Sequence, residues 1–266
     1  MKIPFVAAVF AVIAGLFLSG APAQAATGPA QTQYPIRSKQ LTQNKLYKSG
    51  PLETVSCPEP AIESSVSSAK SYVKTLFNCL GDAWSAQFDK AGLRFSKPSL
   101  RFFTSKKGLR YCGSKWGDAA GIYCPRTRQF AVLLDKEILT DVDDLFLMDV
   151  VAHEYGHHVQ QMSGIMRAYE YEPYHGKKEE TEQTKRLELQ AECFAGVFIG
   201  SVWDSLDRSE DDWQRLLDVV AMSGDETTKV KDHGRGSTQK SWLNKGFQSA
   251  APGGCNTWAA PASRVR

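Results

Sequence analysis

The stretch VVAHEYGHHVQQ, residues 150–161, holds His153, His157 and His158, three of the chain's five histidines. Its other positions are mostly apolar (Val150, Val151, Ala152, Tyr155, Val159), the pattern of a helix turned toward a core. Burying imidazoles and a carboxylate on such a helix is costly unless something pairs with them. His153 and His157 lie four residues apart, on one helical face and one turn from each other. At that spacing both rings can direct a nitrogen to a single Zn2+ at about 2.0–2.1 Å. Glu154 stands beside the first histidine, placed to take a proton from a water whose pKa zinc lowers from about 15.7 to about 7. HEYGH is therefore an HExxH arrangement, two ligands plus a general base. Gly156 inside it lets another segment approach the helix closely. HExxH also arises by chance in unrelated helices, and here the apolar surround and the compartment count against chance.

The compartment is read from the N-terminus and the cysteines. Lys2, an apolar run over residues 6–18 and the small-residue end Ala-Gln-Ala describe a secretory signal peptide, residues 1–25, cut after Ala25. A membrane anchor is the competing reading, but the run falls short of the roughly 20 residues a span needs. Cys57, Cys79, Cys112, Cys124, Cys193 and Cys255 all follow the cut, and an even number in an exported chain suggests disulfides. Joining each to its nearest unassigned neighbour gives Cys57–Cys79, Cys112–Cys124 and Cys193–Cys255. The expected location is secreted, extracellular, with no membrane attachment in the mature form. A formal net charge of +3 is too balanced for a nucleic-acid partner.

Along the chain, residues 26–43 are polar and rich in Gln, Thr and Pro, and read as a flexible leader, with a short propeptide as the alternative. Folded structure is expected over 44–248, followed by an irregular tail at 249–266. Helical spacing of apolar residues over 62–90 predicts one or two helices, and β-prone runs over 98–134 a small sheet. Helices are expected again from Asp143, with Gly164 as the stop, then over 179–204 and 211–222, with a tyrosine-rich loop at 168–178.

Zinc needs a third protein ligand. A third histidine six residues after His157 is excluded, because that slot is Ser163 and the accompanying glycine slot is Gln160. Cys112 and Cys124 are candidates, yet in an oxidising compartment a bridge suits them better. RLELQAECFAGVF, residues 186–198, offers Glu188 and Glu192 four apart among Leu189, Ala191, Phe194 and Phe198. Glu188 is read as the ligand and Glu192 as the acceptor of a hydrogen bond from a ligand histidine, which fixes its tautomer. The exchanged assignment stays open.

HEYGHHVQ with ELQAECFAG some way downstream resembles the bacterial neutral zinc metallopeptidase family, whose hallmark is HE-x-GHH-x-Q followed by E-L-Q-A-D-C-x-A-G. NKLYKSG, CLGDAW, YCP and DHGRGSTQKSWLNKGF extend the resemblance over residues 44–247. It implies an α+β zincin-like metallopeptidase fold, a small sheet packed on the HExxH helix and on a following Glu-bearing helix. It also implies one Zn2+ per chain, with a glutamate as third ligand carried onto Glu188. Glu192 departs from the family's aspartate. The reading that follows is a secreted zinc-dependent peptidase acting on peptide or protein substrates, with Glu154 as general base. A non-catalytic zinc-stabilised binding protein is the alternative, and a hydrolase of another bond a third.

Among supporting residues, His233 matches a family position and is a candidate donor to the developing oxyanion, with a structural or surface role as the alternative; Tyr155, Tyr171 and Tyr174 are weaker candidates. His158 points away from His157 and reads as a hydrogen-bonded structural residue, His175 as exposed. The strand at residues 130–134 is expected to be the cleft's edge, pairing with an extended substrate.

Overall fold

A computed structural model describes residues 34–140 and 144–266. The expected signal peptide and residues 26–33 of the expected leader lie outside the described residues. The first elements among the described residues are a short helix α1 (Lys39–Thr42) and a 3-10 turn (Lys45–Lys48), then one long helix, α2 (Val66–Lys90). Ser65 caps α2 by accepting from Ser68 N. One face of α2 buries Tyr72, Val73, Leu76, Leu80, Trp84 and Phe88.

Strands β1 (Ser99–Phe103), β2 (Arg110–Tyr111), β3 (Ser114–Lys115), β4 (Gly121–Cys124) and β5 (Gln129–Leu133) follow. They form a three-stranded sheet in the order β1-β5-β4 and a separate β2-β3 pair. β1 runs parallel to β5, while β4 runs antiparallel to it. β5 is buried along almost its whole length because it is central. The expectation of a cleft edge at residues 130–134 is therefore corrected: the edge strand nearest the HExxH helix is β4. A continuous apolar run marks a strand covered on both sides, so QFAVL belongs in the middle of a sheet.

After α3 (Lys136–Thr140) come α4 (Asp144–Met162), α5 (Ile165–Glu170), α6 (Lys177–Val202), α7 (Glu210–Met222) and α8 (Gly236–Ser249). α4 carries the HExxH stretch and ends just before Gly164, whose φ of +79° suits a residue without a side chain. α6 is the spine of the molecule, enclosed by α4 and α8, with Leu189, Phe194, Val197, Phe198 and Ile199 fully buried. Glu179 and Glu180 in its first turn favour the positive end of its dipole. Backbones meet closely on both sides of it. A Cβ on Gly156 of α4 would stand 2.8 Å from Ala191 O of α6, and one on Gly196 of α6 would collide with Leu243 O of α8.

The expected start of the folded region needs correction. Residues 34–43 are not a free leader: Leu41 of α1 is fully buried with Ile165, Met166, Leu187 and Trp258. Glu172 accepts from Arg37 N at 2.6 Å and Ser38 N at 3.0 Å, so the chain is docked well before Asn44. The tail is irregular, built from 3-10 turns, but it is packed. Trp258 is fully buried, and the buried Arg186 of α6 donates to the carbonyls of Thr257 and Ala260. The disulfides are Cys57–Cys79, Cys112–Cys124 and Cys193–Cys255, the same pairs as nearest-neighbour joining. The last ties α6 to the tail at the residue after Glu192. Three bridges fit an oxidising compartment, and no helix among the described residues is long and apolar enough to cross a membrane.

Candidate metal centre

α4 and α6 cross where Gly156 meets Ala191, and the crossing brings His153, His157 and Glu188 together. One ligand atom from each lies within 4.8 Å of the others. Glu188 Oε2 is 3.1 Å from His157 Nε2 and 3.5 Å from His153 Nε2. All three side chains are at most 15% exposed.

The other nitrogen of each ring is engaged in a way that fixes its role. His153 Nδ1 lies 2.8 Å from Glu192 Oε2, an acceptor-only carboxylate, so Nδ1–H donates there. Behind His157, the buried indole of Trp258 can only donate and does so to Gln190 Oε1 at 3.2 Å. That orients Gln190, whose Nε2 donates to Tyr47 OH and Cys255 O. Gln160 Nε2 in turn donates to Gln190 Oε1 and Leu187 O, which leaves Gln160 Oε1 to accept from His157 Nδ1 at 2.9 Å. With both Nδ1 atoms donating, both Nε2 atoms face Glu188 with lone pairs when the rings are neutral. Three lone-pair groups converging in a buried site call for a cation, and two imidazoles with one carboxylate suit zinc.

The electrostatics agree. Burial lowers the His153 pKa, but hydrogen bonds and charge from Glu188 and Glu192 outweigh it and hold it well above the usual histidine range. His157 is raised by Glu188 in the same way, again against burial. Burial raises Glu188, yet the facing histidines hold it well below the usual carboxylate range. Without metal, protons do part of a cation's work. The raised histidines therefore add stability below pH 6.5, their unfolded value, and lose it as pH rises through their folded values. The depressed Glu188 adds stability above pH 4.5 and loses it only as pH falls. Zinc competes with those protons. Melting measured with chelator and with zinc should show a larger zinc-induced rise at pH 8 than at pH 6. Each tenfold gain in affinity adds about 1.4 kcal/mol at saturating zinc. An equal rise at both pH values would show that no proton is displaced.

Glu154 points to the sheet side of α4. Its Oε2 accepts from Tyr123 N of β4 at 2.7 Å. Tyr123 OH lies 3.0 Å from His158 Nδ1, while His158 Nε2 lies 2.7 Å from Ser96 O. Since Ser96 O only accepts, His158 donates from Nε2 and accepts the tyrosine proton at Nδ1. Burial pushes its pKa down to about 4, so it is neutral at physiological pH. His158 is thus a clamp between α4 and the sheet and takes no part in the cluster. Gly121 completes the seat: a Cβ there would stand 2.9 Å from Glu154 Cγ and 3.2 Å from Phe130 Cε2. Gly121→Ala is expected to displace Glu154, cutting any activity that uses it by about 10–100-fold while zinc content holds; overpacking costs about 1–3 kcal/mol. Unchanged turnover would show that the Glu154 position is not critical.

His233 arrives from the loop between α7 and α8. Its Nε2 is 3.5 Å from Glu188 Oε2 and its Nδ1 is 2.6 Å from Asp232 Oδ1. Burial lowers its pKa, but Asp232 and Glu188 raise it above the usual value. The loop is held by Asp225, which accepts from His233 N and pairs with Lys185 of α6 at 2.7 Å. At 51% exposure, His233 stands on the open side of the cluster. Tyr155 is buried in the core, and Tyr171, Tyr174 and His175 are exposed. Asp149, one turn before His153, is buried, and burial and the Glu192 charge hold its carboxyl well above the usual range.

Sequence reading missed Gln160 and Gln190 as orienting groups, Asp232 as the partner of His233, and Tyr123 and Gly121 as the seat of Glu154. Buried glutamines on otherwise apolar helix faces were the available signal for the first two. Nothing local marks the others.

The family model described as "Putative neutral zinc metallopeptidase" matches residues 51–258. The uncharacterized protein YpfJ of Escherichia coli (strain K12) is 28% identical over 208 residues, covering 71% of each chain. The uncharacterized protein Rv2575 of Mycobacterium tuberculosis (strain ATCC 25618 / H37Rv) is 28% identical over 195 residues, 62% of this chain and 64% of that one. No solved structure matches the chain. A match over most of the length shows the family: the chain belongs to the one described as "Putative neutral zinc metallopeptidase".

Proposed function

We propose that the protein is an exported, zincin-like metallopeptidase that hydrolyses peptide bonds, with His153, His157 and Glu188 holding one zinc ion. The observation that carries this reading is the convergence of both Nε2 atoms on Glu188, with each Nδ1 committed to an acceptor behind it. Bound there, zinc would supply Lewis acidity to a carbonyl and to a water. Glu154 accepts a proton from the attacking water and returns it to the departing amine nitrogen. The Tyr123 N–H keeps the Glu154 carboxylate oriented meanwhile. His233 Nε2, its ring held by Asp232, donates to the carbonyl oxygen as that oxygen gains charge. The edge strand β4 receives the extended substrate backbone. The disulfides, with the signal peptide expected from the sequence, support export of a mature chain beginning at residue 26. Metal analysis of the purified protein, followed by a peptide-hydrolysis assay with and without chelator, tests the proposal. Stoichiometric zinc with no chelator-sensitive cleavage would refute it.

One observation favours a second reading. His233 Nε2 lies close enough to Glu188 to serve as a fourth ligand, which would close the site and leave a zinc-stabilised binding protein. His233→Ala separates the two. The peptidase reading expects zinc retained and kcat lowered about 10²–10³-fold, as for loss of an oxyanion donor. Loss of zinc would favour the closed site.

A further inference from the structure

A cavity of about 260 Å³ opens beside the cluster and shares His157 and Glu188 with it as walls. Met166 of α5 and Leu187 of α6 also line it, each only 6% exposed. They are backed by Leu41, Ile165 and Trp258, all fully buried, so this surface is firm. Tyr169, Tyr123 and Pro125 supply the rest of the apolar wall. Both phenols are already committed, Tyr169 OH to Thr184 Oγ1 at 3.0 Å and Tyr123 OH to His158 Nδ1 at 3.0 Å. The cavity therefore presents ring faces and aliphatic groups rather than hydroxyls. The charged groups that line it besides His157 are Glu188, turned to the histidines, and the exposed Glu170.

Three consequences follow from size, chemistry and place. Pockets for whole drug-sized ligands span about 300–1,000 Å³, so this one suits a single side chain. Apolar walls favour burial of an apolar group, and the exposed Glu170 at the rim disfavours an acidic one. Because His157 and Glu188 form its wall, whatever fills it is attached next to the carbonyl under attack.

We propose that this cavity selects an apolar side chain, of Leu, Met or Phe size, on the residue flanking the cleaved bond. The inference rests on the metallopeptidase reading and gives it a substrate class: peptides cut beside a large apolar residue. Met166 is the specificity-determining residue named by the geometry.

The test is binding of short peptide hydroxamates, zinc chelators, that carry Leu, Ala, Asp or Lys beside the chelating group. It uses the zinc-loaded Glu154→Gln protein, so turnover does not enter. The Leu compound is expected to bind about 10–100-fold tighter than Ala, with Asp weakest. Met166→Phe, which fills the cavity, should reduce the Leu advantage to about threefold or less and leave the Ala compound unchanged. Met166→Ala, which deepens it, should extend the preference to Trp, and it decides the matter if Met166→Phe does not fold. Equal binding of Leu and Ala, preference for Lys, or variants that shift all compounds alike would overturn the pocket and leave the metal centre standing. Stoichiometric zinc with no hydroxamate bound at all would mean a closed site, and the peptidase reading would fall together with the pocket.

Discussion

Glu154→Gln is expected to keep zinc and fold and to lose nearly all turnover, with kcat down about 10²–10⁴-fold. The substitution is nearly isosteric, and the new Oε1 can still accept from Tyr123 N, the bond that seats the wild-type carboxylate at 2.7 Å. What disappears is the ability to take and return a proton. Melting temperature and metal content should match those of the wild-type protein, so that only the chemical step moves. Substantial activity in the variant would assign proton transfer elsewhere, and His233 would be the first group to examine, since its Nε2 faces the same cluster.

The second large effect separates the two glutamates of α6. Glu188 faces both Nε2 atoms, whereas Glu192 accepts from His153 Nδ1 on the far side of the ring. Glu188→Ala should abolish stoichiometric zinc binding, weakening it by well over 100-fold. Glu192→Ala should weaken it only about 10–100-fold, the usual effect of removing a partner behind a ligand histidine. Titration with a competing chelator measures both. If the two variants ranked the other way, the exchanged assignment considered from the sequence would be right, and the orientation of His153 would have to be rethought. The departure from the family's aspartate at position 192 does not break the contact, because the longer side chain reaches Nδ1 at 2.8 Å.

The parts that were legible in the sequence share a cause. Spacing of four residues on a helix puts side chains on one face whatever surrounds it, so His153 with His157, and Glu188 with Glu192, were readable as pairs. Long helices with a clear apolar period, α2 and α7, were legible for the same reason. α8 was not, since GSTQKSWLNKGFQS combines two glycines with many polar residues and packs on α6 through backbone approach. The start of the folded region was misjudged because Leu41 is the one buried residue of α1, and a single apolar residue carries no period.

By itself, then, the amino-acid order determined local matters: which residues share a helix face, which of them can bind a divalent ion, and which cysteines are near enough in the chain to join. Tertiary structure decided most of what required two distant segments to meet. It put β5 in the middle of the sheet and β4 at its edge, bent the loop after α7 so that His233 faces Glu188, and ran a line of amides from Trp258 to His157. The physical reason is that helix spacing is imposed by backbone geometry within a few residues. Strand order and the closure of a site between helices are set instead by the burial of many surfaces at once, and no short stretch contains that information.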